Sequence, residues 1–142
     1  MLLAVPGGAV TDAMDSLTGW QGQTVVDATN LIGVRPPDGF ASNAEFVKSR
    51  TGGPTVKSFN ANFMMLLGRM GETRARPGNV WCGDEEGRHL VEQLIRDAGY
   101  DPLYAGGLDK AATLESFATL LVGMAQAGMG PIFYRMAPPE QL

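Results

Sequence analysis

An α/β fold built on a mostly parallel sheet is what this sequence predicts, and three observations carry that prediction. Short apolar, β-branched runs alternate along the chain with segments of helical period. The opening run, Leu2-Leu3-Ala4-Val5 closed by Pro6-Gly7-Gly8, is apolar without interruption, as in a strand covered on both faces. The composition, 44% hydrophobic and 18% charged over 142 residues, is that of one folded domain with a core, here expected to span residues 1–142.

Each element has its own signal. Residues 10–17 read as a short helix, and 24–29, Thr-Val-Val-Asp-Ala-Thr, as a second strand ending at Asn30. Pro36, Pro37 and Gly39 make residues 33–40 a loop. Ser42-Asn43-Ala44-Glu45 is a capping box opening a helix to about Arg50, stopped by Gly52-Gly53-Pro54. A third strand is expected at 55–59, a methionine-rich helix at 63–70 and a fourth strand at 79–83. Asp84 is placed to cap the next helix, in which Leu90, Val91, Leu94, Ile95 and Ala98 form an apolar stripe ended by Gly99. A weaker fifth strand at 101–105 and a long helix over 110–127 complete the series, with Gly128 and Pro131 breaking that helix.

Charge and composition exclude several functions. A net charge of -4 offers no attraction to nucleic acid or an anionic membrane. Arg69, Arg74 and Arg76 cluster without interleaved aromatics and read as a solvated loop. One cysteine and one histidine leave no intramolecular disulfide and too few soft ligands for zinc. Cys82 is expected to pack as a small hydrophobe, His89 to lie on the surface, and Trp20 and Trp81 to serve packing. The apolar stretch 117–130 falls short of the roughly 20 residues that span a bilayer. With no charged region ahead of the opening strand, a cytoplasmic setting is expected.

In a parallel sheet, ligands bind where the carboxyl ends of the strands converge. Three strand ends here carry similar chemistry: Val5-Pro6-Gly7, Ala28-Thr29-Asn30 and Phe59-Asn60-Ala61-Asn62. Thr29, Asn30, Asn60 and Asn62 offer hydrogen bonds without charge, which suits a carboxamide or a heterocycle. Asparagines after strands also serve as turn residues that tolerate unusual backbone angles, and that reading stands beside the first. There is no Gly-x-Ser-x-Gly elbow, and the acidic run Asp84-Glu85-Glu86 is accounted for by the helix dipole.

The stretches "LLAVP", "TVVDATN", "TVKSFNANF", "VWCGDEEGRHLVEQLIRDAGYDPLYAGGLDKAATLESFATLL" and "GMGPIF" resemble, in order and spacing, the later part of the deazaflavin-dependent NADP reductases. These are the NADPH:coenzyme F-420 oxidoreductases and their bacterial relatives. The most specific piece is the "CGD" strand end followed by a helix, "AGxL" and "LES". The resemblance runs from Met1 to about Phe133. It implies a partial Rossmann-like parallel sheet flanked by helices, with a long C-terminal helix, and a role in passing hydride between NADP(H) and coenzyme F-420 or a flavin.

By the same resemblance, Val5, Pro6, Gly7 and Thr11 touch the ribose and nicotinamide side of the dinucleotide, and Thr29 and Asn30 form the second rim element. Phe59, Asn60, Asn62 and Met64 lie where the two rings meet, and Ser116, Met129 and Ile132 form the far wall of the deazaflavin cleft. Asn60 stands where archaeal members favour histidine. No general acid or base is implied, because the cofactors carry the chemistry. The Gly-rich phosphate turn that opens such proteins has no counterpart in "MLLAVPGGAV". The chain is therefore expected to be a truncated form, incomplete for catalysis alone, and to be a homodimer through sheet-edge pairing or its last helix. The alternative is a non-catalytic binding or dimerisation module derived from the same family.

Overall fold

A computed structural model describes residues 1–141. Five strands form one sheet in the order β1-β2-β3-β4-β5: β1 (Leu2–Leu3), β2 (Val25–Asp27), β3 (Thr55–Lys57), β4 (Gly78–Gly83) and β5 (Asp101–Tyr104). The first three are parallel, with Leu2 beside Val26 and Asp27 beside Lys57. β4 runs antiparallel to β3, and β5 parallel to β4. The sheet is mostly parallel, as expected, with one reversal between β3 and β4. The reversal arises because the connection from β3 to β4 lacks an α-helical crossover. Residues Met64–Glu72, expected as a helix, form 3-10 turns in which only Leu66 is buried. This glycine-containing path, residues 58–77, returns the chain antiparallel beside β3.

The helices are α1 (Val10–Asp15), α2 (Asn43–Thr51), α3 (Arg88–Asp97) and α4 (Ala111–Met124), the last continued by a π turn to Met129. Ser42 caps α2 as its sequence predicts, its Oγ accepting from the Glu45 amide at 3.2 Å. Glu45 closes the box one residue further out, on the Ala41 amide. Asp84 does not cap α3. Its carboxylate accepts from the Thr55 amide at 2.8 Å and from Lys48, so it ties β4 to β3 and α2. The α3 stripe is also narrower than expected: Val91 and Ile95 are buried, whereas Leu90 and Leu94 remain 42% and 38% exposed.

The strand period of two divides the core. Val26, Val56 and Trp81 face α3, packing on Val91, Ile95 and Tyr100. Leu3 and Val25 face the other way, against Val10, Met14, Phe46 and Val47 of α1 and α2. On that second face Cys82 meets Ala111, Leu114, Ala118 and Leu121 of α4. Asp27 and Lys57, adjacent in register, sit between these two apolar clusters and are fully buried. Trp81 and Cys82 pack as expected, and His89 is exposed.

Candidate functional site

Because β1, β2 and β3 are parallel, the segments after them emerge at one edge of the sheet, and hydrogen bonds knit them together. Gly7 is indispensable there: a Cβ at this position would lie 1.9 Å from the Asn30 carbonyl oxygen. Its small size thus serves contact between two rim segments. Asn43, the first residue of α2, donates through Nδ2 to the Gly7 carbonyl (3.2 Å) and to Thr29 Oγ1 (3.0 Å). Thr29 is held at every polar atom. Its amide donates to Asp27 Oδ1 (2.9 Å), and its carbonyl accepts from Lys57 Nζ (2.9 Å).

Lys57 also donates to Asp27 (2.8 Å) and forms an ion pair with Glu115 of α4 (2.7 Å). Burial pushes the Glu115 carboxyl above the ordinary range, outweighing the opposing pull of Lys57.

Asn30 and Asn60 bond to each other. Asn30 Nδ2 donates to the Asn60 carbonyl (2.7 Å), while Asn60 Nδ2 donates to Asn30 Oδ1 (3.0 Å) and to the Leu114 carbonyl of α4 (3.2 Å). Both partners of the Asn60 amide nitrogen are oxygens, so its orientation is fixed. Its Oδ1 is left buried without a donor. Asn62 is pinned to the framework instead, donating to the Gly78 carbonyl at 3.0 Å.

Asn60 does lie in a turn, closed by the Asn62 amide on the Phe59 carbonyl, but the unusual backbone angle is not on an asparagine. Among the described residues, the non-glycine at positive φ is Phe59, at 64°. An aromatic residue there is strained by about 1–3 kcal/mol. It is held by Asn79, whose Oδ1 accepts from the Phe59 amide and from Ser58 Oγ.

Three cavities adjoin this rim. A slot of about 180 Å³ lies between the strand ends and α4, lined by Asn30, Asn60, Asn62, Met64, Ala118 and Leu121 among others. On the α3 side, an apolar cavity of about 350 Å³ is lined by Leu2, Ala4, Ala28, Phe59, Leu94 and Tyr100, with Asn62 and Met64 at its border with the slot. A third, of about 190 Å³, lies beside α4 between Leu31, Ala41, Glu115, Ser116 and Thr119.

Of the residues singled out from sequence, the structure therefore brings Asn30, Asn60, Asn62 and Met64 to one slot and Phe59 to its border. Gly7 and Thr29 stand behind them as framework. Ser116 lies at the third cavity, across α4. Val5 packs against the α1–α2 cluster, Thr11 is exposed on α1, Pro6 is exposed and closes the turn into α1, Met129 is 59% exposed and Ile132 packs on the α4 cluster. None of these five lines the three cavities. Sequence reading missed Asn43, Lys57, Asn79, Glu115 and Tyr134. The available signal was a lysine in the apolar run "TVKSF", at the register position of the aspartate in "TVVDATN".

Solved structures give the arrangement a context. A protein from Arthrobacter sp. FB24, named as a proposed F-420-dependent NADP reductase, matches 96% of this chain and 68% of its own, with a TM-score of 0.77 and 19% identity. The two share a fold. A hypothetical protein from Sinorhizobium meliloti matches 78% of the chain with a TM-score of 0.64 and 26% identity, and the match spans only 58% of that protein's length. No protein-family model matches the chain, and the search of curated proteins returned no significant match. The sheet flanked by helices, with a long helix near the C-terminus, is thus Rossmann-like.

The site is electrically neutral at its surface. The residues lining the slot are Asn30, Asn60, Ala61, Asn62, Phe63, Met64, Ala118, Leu121 and Val122, none of them ionisable. The charges lie behind it, in Asp27, Lys57 and Glu115. Tyr134 lies outside the lining, its hydroxyl 3.5 Å from Asn62 Oδ1. Its hydroxyl accepts from the Val80 amide at 3.1 Å, and burial pushes its pKa up to about 12, so it stays protonated. Among the described residues there is no cluster of three potential metal ligands, and no helix is long and apolar enough to cross a membrane.

Proposed function

We propose that residues 1–141 form the ring-binding part of an oxidoreductase that passes hydride between NADP(H) and a deazaflavin of the coenzyme F-420 type or a flavin. The observation that carries this reading is the Asn30–Asn60 pair, which leaves Asn60 Oδ1 buried without a donor on a residue that lines an uncharged slot. A buried acceptor without a partner costs about 1–3 kcal/mol. An N–H of a pyrimidine-type ring or of a carboxamide supplies the missing donor. The fold match to the Arthrobacter protein supports the same class.

In this reading the bound cofactors supply the hydride chemistry, and the protein supplies orientation and dryness. Asn60 and Asn30 set the ring's rotation through hydrogen bonds. Ala118, Leu121 and Val122 of α4 exclude water from one face, and Met64, 71% exposed, closes the mouth as a flexible, polarizable lid. With no ionisable group in the lining, rate depends on ring placement.

The segment at Gly7 and Gly8 leads into a helix of only six residues, a short platform for a pyrophosphate. Titration by fluorescence tests the reading. Coenzyme F-420 or FMN is expected to bind, NADPH to bind weakly, and Asn60→Leu to lower ring affinity about tenfold, the size of one neutral hydrogen bond. Unchanged affinity in Asn60→Leu, or no binding of either ring, refutes it.

The proposal includes a homodimer in a cytoplasmic setting. β1 is an edge strand, and Leu2, 58% exposed, borders the apolar cavity on the α3 face. Edge pairing by a second copy satisfies the open backbone groups and covers that cavity.

A further inference from the structure

We propose that Lys57 is a positioning residue: by joining the Thr29 carbonyl to Glu115, it latches α4 to the strand ends and sets the width of the ring slot. The inference rests on the functional reading above for its ligand, but its geometry stands independently. Two chains of polar contacts leave the rim and end on consecutive residues of α4. One runs by hydrogen bonds from the Gly7 carbonyl through Asn43 to Thr29 and on to Lys57, and ends in the ion pair of Lys57 with Glu115. The other runs from Asn30 through Asn60 to the Leu114 carbonyl.

Ala118, Leu121 and Val122, which wall the slot, stand one to two turns further along the same continuous helix. Fixing residues 114 and 115 therefore fixes the wall. The first chain is the stiffer one, because Lys57 is held by charge-assisted hydrogen bonding to Asp27, by the Thr29 carbonyl and by its ion pair with Glu115, all at 2.7–2.9 Å.

Stability alone is a poor explanation of this cluster. Lys57 and Asp27 are fully buried and Glu115 nearly so, giving one positive and two negative groups in their ionised forms. Desolvating such groups consumes most of what their attraction returns, and apolar replacements of a whole buried cluster are often neutral or better. Directionality is what an apolar replacement cannot supply. Lys57 dictates where a carbonyl of one loop and a carboxylate of a helix must stand, whereas Leu114, Ala118 and Leu121 would pack with some freedom to slide.

The test uses the full chain carrying Asp27→Asn, Lys57→Met and Glu115→Gln together. This set keeps shape and leaves an acceptor for the Thr29 amide, without stranding a buried charge. Hydrogen–deuterium exchange, thermal melting and coenzyme F-420 titration are compared with the unsubstituted protein. The expected result is a melting temperature within a few degrees, with exchange at residues 29–31 and 60–62 and in the first turns of α4 at least tenfold faster, while β4, β5 and α3 are unchanged. Affinity for F-420 falls by a similar factor.

Unchanged local exchange in the folded variant overturns the latch, as does a uniform rise throughout the molecule, which marks a stabilising role only. Failure of the unsubstituted protein to bind F-420 refutes the functional reading, while the exchange result still decides the latch. Lys57→Met alone is the second variant. It is expected to melt lower with the rim opening first, and uniform loss of protection in it counts against the proposal.

Discussion

Gly7 and Gly8 are neighbours with opposite demands on space. A methyl at Gly7 meets the Asn30 carbonyl, and one at Gly8 meets only Val34 at an ordinary 3.6 Å. Gly7→Ala is therefore expected to destabilise by about 1–3 kcal/mol, the usual range for overpacking. It should also disturb the Asn30–Asn60 pair, whereas Gly8→Ala is expected to be neutral or slightly stabilising. Urea unfolding of the two variants side by side checks this. Cys82 gives a second residue-scale prediction. Burial in the sheet pushes its thiol up to about 12, so at pH 8 it is expected to resist maleimide in the native protein and to react fully once unfolded. Rapid native labelling would contradict its packed position.

Among the elements, α2 and α4 carry the most decisive local chemistry. Removing the cap in Ser42→Ala is expected to cost about 1 kcal/mol by denaturant unfolding, since the Glu45 amide loses its acceptor. On α4, the Glu115 pKa is raised above the unfolded reference of 4.5. A raised carboxyl contributes stability that is present below the unfolded value and is lost as pH rises through the folded one. The unsubstituted protein is thus expected to gain melting temperature relative to Glu115→Gln as pH falls from neutral toward the carboxylate range. A constant offset across pH would show that Glu115 does not titrate there. β5, the other edge of the sheet, is guarded differently: the Arg88 guanidinium lies 4.3 Å from the ring centre of Tyr104 and 5.5 Å from that of Trp81, placing a charge over the strand.

At the scale of the whole molecule, the two faces of the sheet are covered unequally. α1, α2 and α4 bury one face along its length, whereas α3 leaves Leu2, Ala4 and Ala28 beside an open cavity. Sedimentation at micromolar concentration is expected to show a dimer, and Leu2→Lys to return it to a monomer, because a charge at a paired edge is costly to bury. A monomer before substitution, or a dimer that persists after it, removes β1 from the interface. The Arthrobacter and Sinorhizobium matches leave about a third and two-fifths of those chains outside the matched region, and the function proposed above concerns a ring site alone.

All five strands and four helices were legible from period, caps and breakers, because those signals are local: a β-branched run, a capping box and a terminal glycine act within a few residues of themselves. The neutral rim was legible too, once the strands were taken as parallel. The sequence by itself determined that Asn30, Asn60 and Asn62 would meet at one edge. Only the tertiary structure decided that Asn30 and Asn60 bond each other while Asn62 faces Gly78, that Phe59 takes the positive φ, and that the sheet reverses after β3. It alone brought Asp27, Lys57 and Glu115 together, across 30 and 58 positions of chain. Register and helix docking place such groups, and they depend on how distant surfaces fit, which no short stretch of residues encodes.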